Sequence, residues 1–246
     1  MTADQRRLLV ADSFRVRVNP ATGQPEVRGW DRHLARFLTG VCAVTESQSA
    51  DGFLADAVSR IQEYGEGFPR LELWGGAGQD PEFALSLRPL PELGTQLEMR
   101  SFSGFTLESR ARKGPNIARL AELNRELGAE ALLTDAEGYA LEGATTSLVW
   151  WDPTDQEGYV VEARRHRVAS VTEQLLTHEF AIAPSRISPA DLTQCEVWAV
   201  NALHGIRVVT AIDGVPTQHP QEARLKWFRE ALDRYWQPLT QPDQRA

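Results

Sequence analysis

A lysine, a glycine and a proline in a row set the plan of this chain. In the stretch Arg110–Leu127 (RARKGPNIARLAELNREL), Gly114 interrupts what precedes it and Pro115 suits the first helical turn. Ile117, Leu120, Leu123 and Leu127 then follow at helical spacing. Such a corner ends one piece of architecture and starts another, and Lys113 is the last residue before it. The chain has 24 arginines and only two lysines, so each lysine asks for a reason. Lys226 has one: it lies in Pro220–Gln237, an expected amphipathic helix, with Glu222 and Glu230 four residues to either side. Lys113 has no such partners. A guanidinium never releases its proton, whereas a lysine, with a free pKa of ~10.4, can form a Schiff base once that value is lowered. Taken alone, Lys113 also reads as an ordinary loop lysine.

Before the corner the pattern is mixed. Leu8–Val18 alternates as a strand and Asn19–Gly23 is a turn. Trp30–Val44 and Phe53–Tyr64 read as helices; Arg70–Trp74, Glu82–Arg88 and Gln96–Phe105 read as strands. Strands that follow one another so closely favour antiparallel pairing. Gly75–Gly78 reads as a loop rather than a phosphate cradle, because Gln79-Asp80-Pro81 and not a helix follows it. The boundary falls near Thr106–Arg112, giving a small α/β domain over 1–108 and a larger one over 109–246. The second part reads as a helix over Asn116–Gly128, a hairpin turn at Asp135–Gly138, and strands at Ala131–Thr134, Tyr139–Leu141, Thr145–Trp151 and Gly158–Glu162. A helix over Val171–Glu179, strands at Glu196–Val200 and Ile206–Ile212, and the Pro220–Gln237 helix complete it, with a frayed tail from Pro238.

Several classes of function are excluded. The net charge of −8, with no basic run longer than Arg164–Arg167, argues against nucleic acid. No apolar run approaches a membrane span, and the N-terminus lacks a signal core, so the expected location is the cytoplasm. Cys42 and Cys195 read as free thiols, and neither they nor the five histidines show metal spacing. There is no internal repeat and no dinucleotide or P-loop glycine fingerprint.

The residues suited to chemistry are scattered. Glu142 ends a hairpin strand in LEGATTSLVWW; it is either a turn acid or a carboxylate facing a ring nitrogen. Arg36, a turn from His33 and Arg32, is either a solvated helical arginine or an anion clamp. Ser170-Val171-Thr172-Glu173 is a capping box, and a helix N-terminus with a threonine hydroxyl also suits a phosphate. There Glu173 would oppose the anion unless it turns away. Asn201–Arg207 joins two strands and holds Asn201, His204 and Arg207 within seven residues.

In order, these pieces resemble the class IV family of pyridoxal-phosphate enzymes, which contains branched-chain and D-amino-acid aminotransferases and aminodeoxychorismate lyases. The matching stretches are Asp12–Val16, His33–Phe37, Lys113, Glu142–Leu148, Val168–Thr172 and Asn201–Arg207. The resemblance implies an α+β fold: a small α/β domain, then a larger barrel-like α/β domain, with the cofactor between them, commonly in a homodimer. It implies that Lys113 holds pyridoxal 5'-phosphate as a Schiff base and moves protons, and that Glu142 pairs with the pyridine nitrogen. Arg36, the Val171 and Thr172 amides, the Thr172 hydroxyl and the Asn201–Ala202 loop would hold the phosphate, and Val168 would pack near the ring. His204 and Arg207 would face a small amine or amino-acid substrate. The Asn201–Arg207 loop is more similar to that of the lyases than to the S-G-T-A of branched-chain aminotransferases. The sequence departs from the family pattern in four places. The glycine-rich segment usual before Phe14 is not seen, Ile117 and Ala118 stand where a Tyr or Arg is common, Ser170 replaces a glycine, and Glu173 replaces an arginine.

Overall fold

The computed structural model describes residues 6–45, 50–76, 79–104, 108–109, 111–162 and 167–241. Ala77–Gly78 of the expected loop, Phe105 of the expected strand, Thr106, Leu107 and Arg110 of the expected boundary, Arg164–His166 and the last five residues of the tail lie outside them. The chain forms two compact units. The first takes residues 1–92, 112–115 and 235–246; the second takes 93–111 and 116–234. Lys113 thus groups with the first unit, whereas the sequence reading assigned it to the second domain.

The first unit is built from β1 (Arg7–Ser13), β2 (Val16–Val18), β3 (Pro25–Arg28), α1 (Trp30–Cys42), α2 (Asp51–Tyr64), β4 (Arg70–Gly76) and β5 (Gln79–Ser86). The expected strand over Leu8–Val18 is two strands in two sheets: β1 pairs antiparallel with β4, and β2 with β3. Between them Phe14 is fully buried, edge-on to Trp30 and tilted against His33. That anchor fixes the change of direction. Gly75 and Gly76 extend β4 rather than forming a loop. α1 buries Trp30, Leu34, Phe37 and Val41 of the expected stripe Trp30, Leu34, Phe37, Leu38 and Val41, and Leu38 is partly buried against the same core. Gly40 lets α1 approach β1: a Cβ there would sit 2.6 Å from a Val10 methyl.

The second unit holds β6 (Gln96–Phe102), α3 (Ile117–Leu127), β7 (Glu130–Thr134), β8 (Ala140–Gly143), β9 (Ser147–Trp151), β10 (Gly158–Val161) and α4 (Val171–Glu179). It continues with β11 (Ile182–Ser185), α5 (Pro189–Leu192), β12 (Glu196–Asn201), β13 (Gly205–Ile212), β14 (Val215–Pro216) and α6 (Glu222–Asp233). One sheet runs β11-β10-β9-β12-β13-β6-β7-β8, with β14 on β13, and curls into a half-barrel. β6 pairs in parallel with β13 and β7, so the antiparallel expectation fails there. One face carries Met99, Leu132, Leu148, Trp150, Val197, Ala199 and Val209. On the other, Trp151 and Trp198 pack on Phe228 of α6.

The last helix is shorter than expected. α6 stops at Asp233, and Trp236–Pro238 form β15, antiparallel to β3 in the first unit. Arg17 and Arg28 each stack 4.4 Å from the centre of the Trp236 ring. Local periodicity cannot reveal a pairing of such long range.

Candidate active site

Lys113 is placed by its backbone. Its carbonyl accepts a 2.8 Å hydrogen bond from the Ala11 amide of β1. The Arg112 Nε donates to the Leu9 carbonyl at 2.9 Å. Gly114 follows at φ 144°, and a Cβ there would lie 2.9 Å from both the Leu9 oxygen and the Val10 Cα. Only glycine allows this close approach to a strand backbone. The Lys113 amine is lowered from 10.5 to about 8. Burial is the main cause; the guanidiniums of Arg36, Arg88 and Arg70 add to it, and Asp12 pulls the other way. A fraction of the amine is therefore neutral and nucleophilic near neutral pH.

Opposite it stands a charged cluster that sequence reasoning did not assemble. Asp12 is fully buried. Arg36 grips it with a fork, Nε at 2.7 Å and one terminal nitrogen at 2.9 Å, and His33 Nδ1 lies 2.7 Å from the same carboxylate. Burial pushes the Asp12 carboxyl up, but Arg36 and His33 together hold it well below the usual range. Burial also lowers His33, so its Nδ1–H donates to Asp12 from a neutral ring. Arg36, read as an anion clamp, is thus bound to a carboxylate through two of its nitrogens. Arg88 donates to the Phe68 carbonyl at 3.0 Å and to Ser13 Oγ at 3.1 Å. The one sequence signal for this cluster was the His33-x-x-Arg36 spacing on a helix facing a strand that carries an Asp.

In the second unit Glu142 is the last residue but one of β8, opposite Leu133. Its carboxyl is raised from 4.5 to about 8, mainly by burial, with Arg167 and the Val168 amide pulling down and Glu173 pushing up. Val168 therefore meets Glu142 through its N–H. At α4 the Ser170 hydroxyl accepts the Glu173 amide at 3.3 Å, as the capping box predicts. The Glu173 carboxylate does not complete the box; it turns to Arg167, which holds both its oxygens at 2.7 Å. The charge that would oppose an anion is thereby neutralised. Val171 and Thr172 are buried in the first turn, where a helix offers its own amides no carbonyl.

Asn201 ties its loop together: Nδ2 donates to the Thr145 carbonyl at 3.3 Å and Oδ1 accepts the His204 amide at 2.9 Å. His204 Nδ1 accepts the Gly94 amide at 3.1 Å, which leaves the proton on Nε2. Ala202 lies half-buried in the same turn. Arg207 pairs with Ala199 and stands two residues from Val209, so alternation puts it on the Met99–Leu148 face of the sheet. Glu142 pairs with Leu133, which packs with Leu123 of α3 on the opposite face. The structure therefore does not bring Arg207 to the side of Glu142.

Among the described residues no group of three His, Cys, Asp or Glu side chains is placed to hold a metal ion. No helix among them is long and apolar enough to cross a membrane.

The sequence matches the profile of the amino-transferase class IV family over residues 10–212. No curated protein matches. Among solved structures, the fold is similar to a T.th. branched-chain amino acid aminotransferase complexed with N-(5'-phosphopyridoxyl)-L-glutamate, at TM-score 0.76 and 18% identity over 94% of this chain and 89% of that one. It is similar to a candidate 4-amino-4-deoxychorismate lyase from Legionella pneumophila, at TM-score 0.75 and 15% identity over 94% and 91%. A hypothetical aminotransferase from Mycobacterium tuberculosis gives 0.75 and 17% over 96% and 92%. The family uses pyridoxal phosphate. Each unit taken by itself carries side chains whose chemistry suits that group: in the first an amine at about 8, and in the second a carboxyl raised by burial and a helix N-terminus whose acidic residue is neutralised. The chain belongs to the class IV aminotransferase family.

Proposed function

We propose that this protein is a pyridoxal-phosphate-dependent lyase of the aminodeoxychorismate type, converting 4-amino-4-deoxychorismate into 4-aminobenzoate and pyruvate. The observation that carries the reading is the Asn201–Arg207 loop, whose N-A-L-H-G-I sequence resembles that of the lyases. Its Asn201 and His204 are both fixed by hydrogen bonds. When bound, pyridoxal phosphate supplies an aldehyde carbon and an electron-accepting ring.

In this reading Lys113 holds the cofactor through Nζ and moves a proton at that atom. Its lowered pKa leaves it able both to take a proton and to return one. Glu142 holds the ring nitrogen in its protonated form. The Val171 and Thr172 amides and the Thr172 hydroxyl bind the phosphate, with the Asn201–Ala202 turn beside them and Arg36 adding positive charge. Val168 packs near the ring. His204, donating from Nε2, meets the substrate. The reading includes a homodimer in the cytoplasm.

The test has two arms. Incubation with 4-amino-4-deoxychorismate should release pyruvate and 4-aminobenzoate. Incubation with amino acids and 2-oxoglutarate should yield no new amino acid. The reverse pattern makes the protein an amino-acid aminotransferase, which the family profile equally admits. A protein inert in both arms, and colourless with pyridoxal phosphate, is a non-catalytic relative.

A further inference from the structure

The buried side of α1 carries a polar cluster where packing asks for none. Phe37 and Val41 already share one core with Leu9 and Val10 of β1, and Gly40 lies against Val10. Yet Asp12 of β1 is fully buried and His33 of α1 nearly so. Arg36, one turn further on, keeps 15% of its side chain accessible, so of the three it alone reaches the surface. Both Asp12 oxygens are engaged. Oδ2 accepts Arg36 Nε at 2.7 Å; Oδ1 accepts a terminal Arg36 nitrogen at 2.9 Å and His33 Nδ1 at 2.7 Å. Burying such charges costs desolvation that their attraction at best offsets, so the cluster is weak evidence for stability. It does fix geometry. An arginine side chain has many rotamers, and a planar guanidinium held at two nitrogens has the direction of its third set as well. His33, in turn, keeps the carboxylate from rotating.

We propose that Asp12 and His33 are positioning residues for Arg36: they hold its guanidinium in one orientation toward the cofactor's phosphate, and so set the preference for pyridoxal phosphate over unphosphorylated pyridoxal, a step that rests on the reading of Arg36 as a phosphate ligand. A carboxylate beside such a clamp can act in two opposite ways. By charge alone Asp12 repels a phosphate, and its removal would tighten binding. As an orienting group it spares the guanidinium the entropy of being ordered on binding, and its removal loosens binding. The geometry favours the second. Three hydrogen bonds converge on one buried carboxylate, and two of them come from the same guanidinium.

The test compares two aldehydes on the full chain: pyridoxal phosphate, and pyridoxal, which has the same ring and aldehyde without the phosphate. Their dissociation constants are read from absorbance titrations. Arg36→Gln should lower the preference for pyridoxal phosphate. Asp12→Asn should lower it by about tenfold, the order of one charge-assisted hydrogen bond. Combined in one chain, the two substitutions should lower it no further than Arg36→Gln alone. His33→Leu should lower it in part, whereas His33→Asn, whose amide places an N–H where Nδ1 stands, should keep most of it. An unchanged preference in Asp12→Asn marks a structural cluster, and an increased one marks Asp12 as a brake on the anion. Either overturns the proposal, while a lowered preference in Arg36→Gln shows that the phosphate reading still stands. If Arg36→Gln leaves the preference unchanged, or the unaltered protein has none, that reading falls and the proposal with it. Should Asp12→Asn not fold, the contrast between His33→Leu and His33→Asn decides by the same measure.

Discussion

The environment of Lys113 makes a sharp prediction because the chain supplies its own control. Lys113 is the half-buried lysine and Lys226 the exposed one, with 77% of its side chain accessible. At pH 7, an amine with a pKa of about 8 is neutral in roughly 9% of molecules, whereas one at 10.5 is neutral in roughly 0.03%, a difference of about 300-fold. A lower-pKa amine is also a weaker nucleophile, so the diagnostic is the pH of half-maximal reaction rather than the absolute rate. The assay is a brief pulse of acetic anhydride on the full chain at a series of pH values from about 6 to 11, spanning both values. Peptide mass spectrometry then reads acetylation at Lys113 and Lys226 in the same sample. The Lys113 profile should turn over near pH 8. Arg36→Gln removes a guanidinium that helps lower the amine, so it should move that midpoint upward. A Lys113 midpoint near 10.5 in the unaltered protein would refute the electrostatic argument, and with it the claim that burial prepares this amine for an aldehyde.

Three further outcomes follow from the geometry. Gly114→Ala forces a Cβ to within 2.9 Å of the β1 backbone at φ 144°, and should cost on the order of 2–3 kcal/mol in a urea melt. Asp12→Asn leaves the Arg36 charge without its carboxylate in a buried place, and should cost on the order of 3 kcal/mol by the same measurement. Glu142 binds its proton more tightly in the folded chain than in the unfolded one. Its contribution to stability is therefore full below pH 4.5 and lost as pH rises toward about 8. Glu142→Gln should remove that slope from a plot of Tm against pH, measured without cofactor.

The features that could be read from sequence were the ones written locally. α4 begins at Val171 and ends at Glu179 as expected, because Ser170 caps it through the Glu173 amide. The apolar stripe of α1 was visible because Trp30, Leu34, Phe37 and Val41 repeat with the helix period. Lys113 stood out only because lysine is so rare in this chain. The features that were missed depend on partners distant in sequence. β6 joins β13 and β7 in parallel, and β15 joins β3; neither has a local signature. The Asp12–Arg36 and Arg167–Glu173 pairs were hidden for another reason. With 24 arginines available, no pattern marks which ones turn inward to meet an acid. The same arginines explain why Glu173 looked like an obstacle to an anion when read by itself.

The return of β15 to β3 has a consequence for how the protein is made. A ribosome emits β1 to β5 long before Trp236–Pro238, yet the β2–β3 ribbon gains its third strand only from that later segment. Until then β3 presents an open edge, and the Trp236 ring on which Arg17 and Arg28 stack is not yet there. Completion of that ribbon thus waits until Trp236–Pro238 have been made. A nascent chain stalled shortly before Tyr235 should expose that edge to chaperones and proteases, while one extended well past Pro238 should close it.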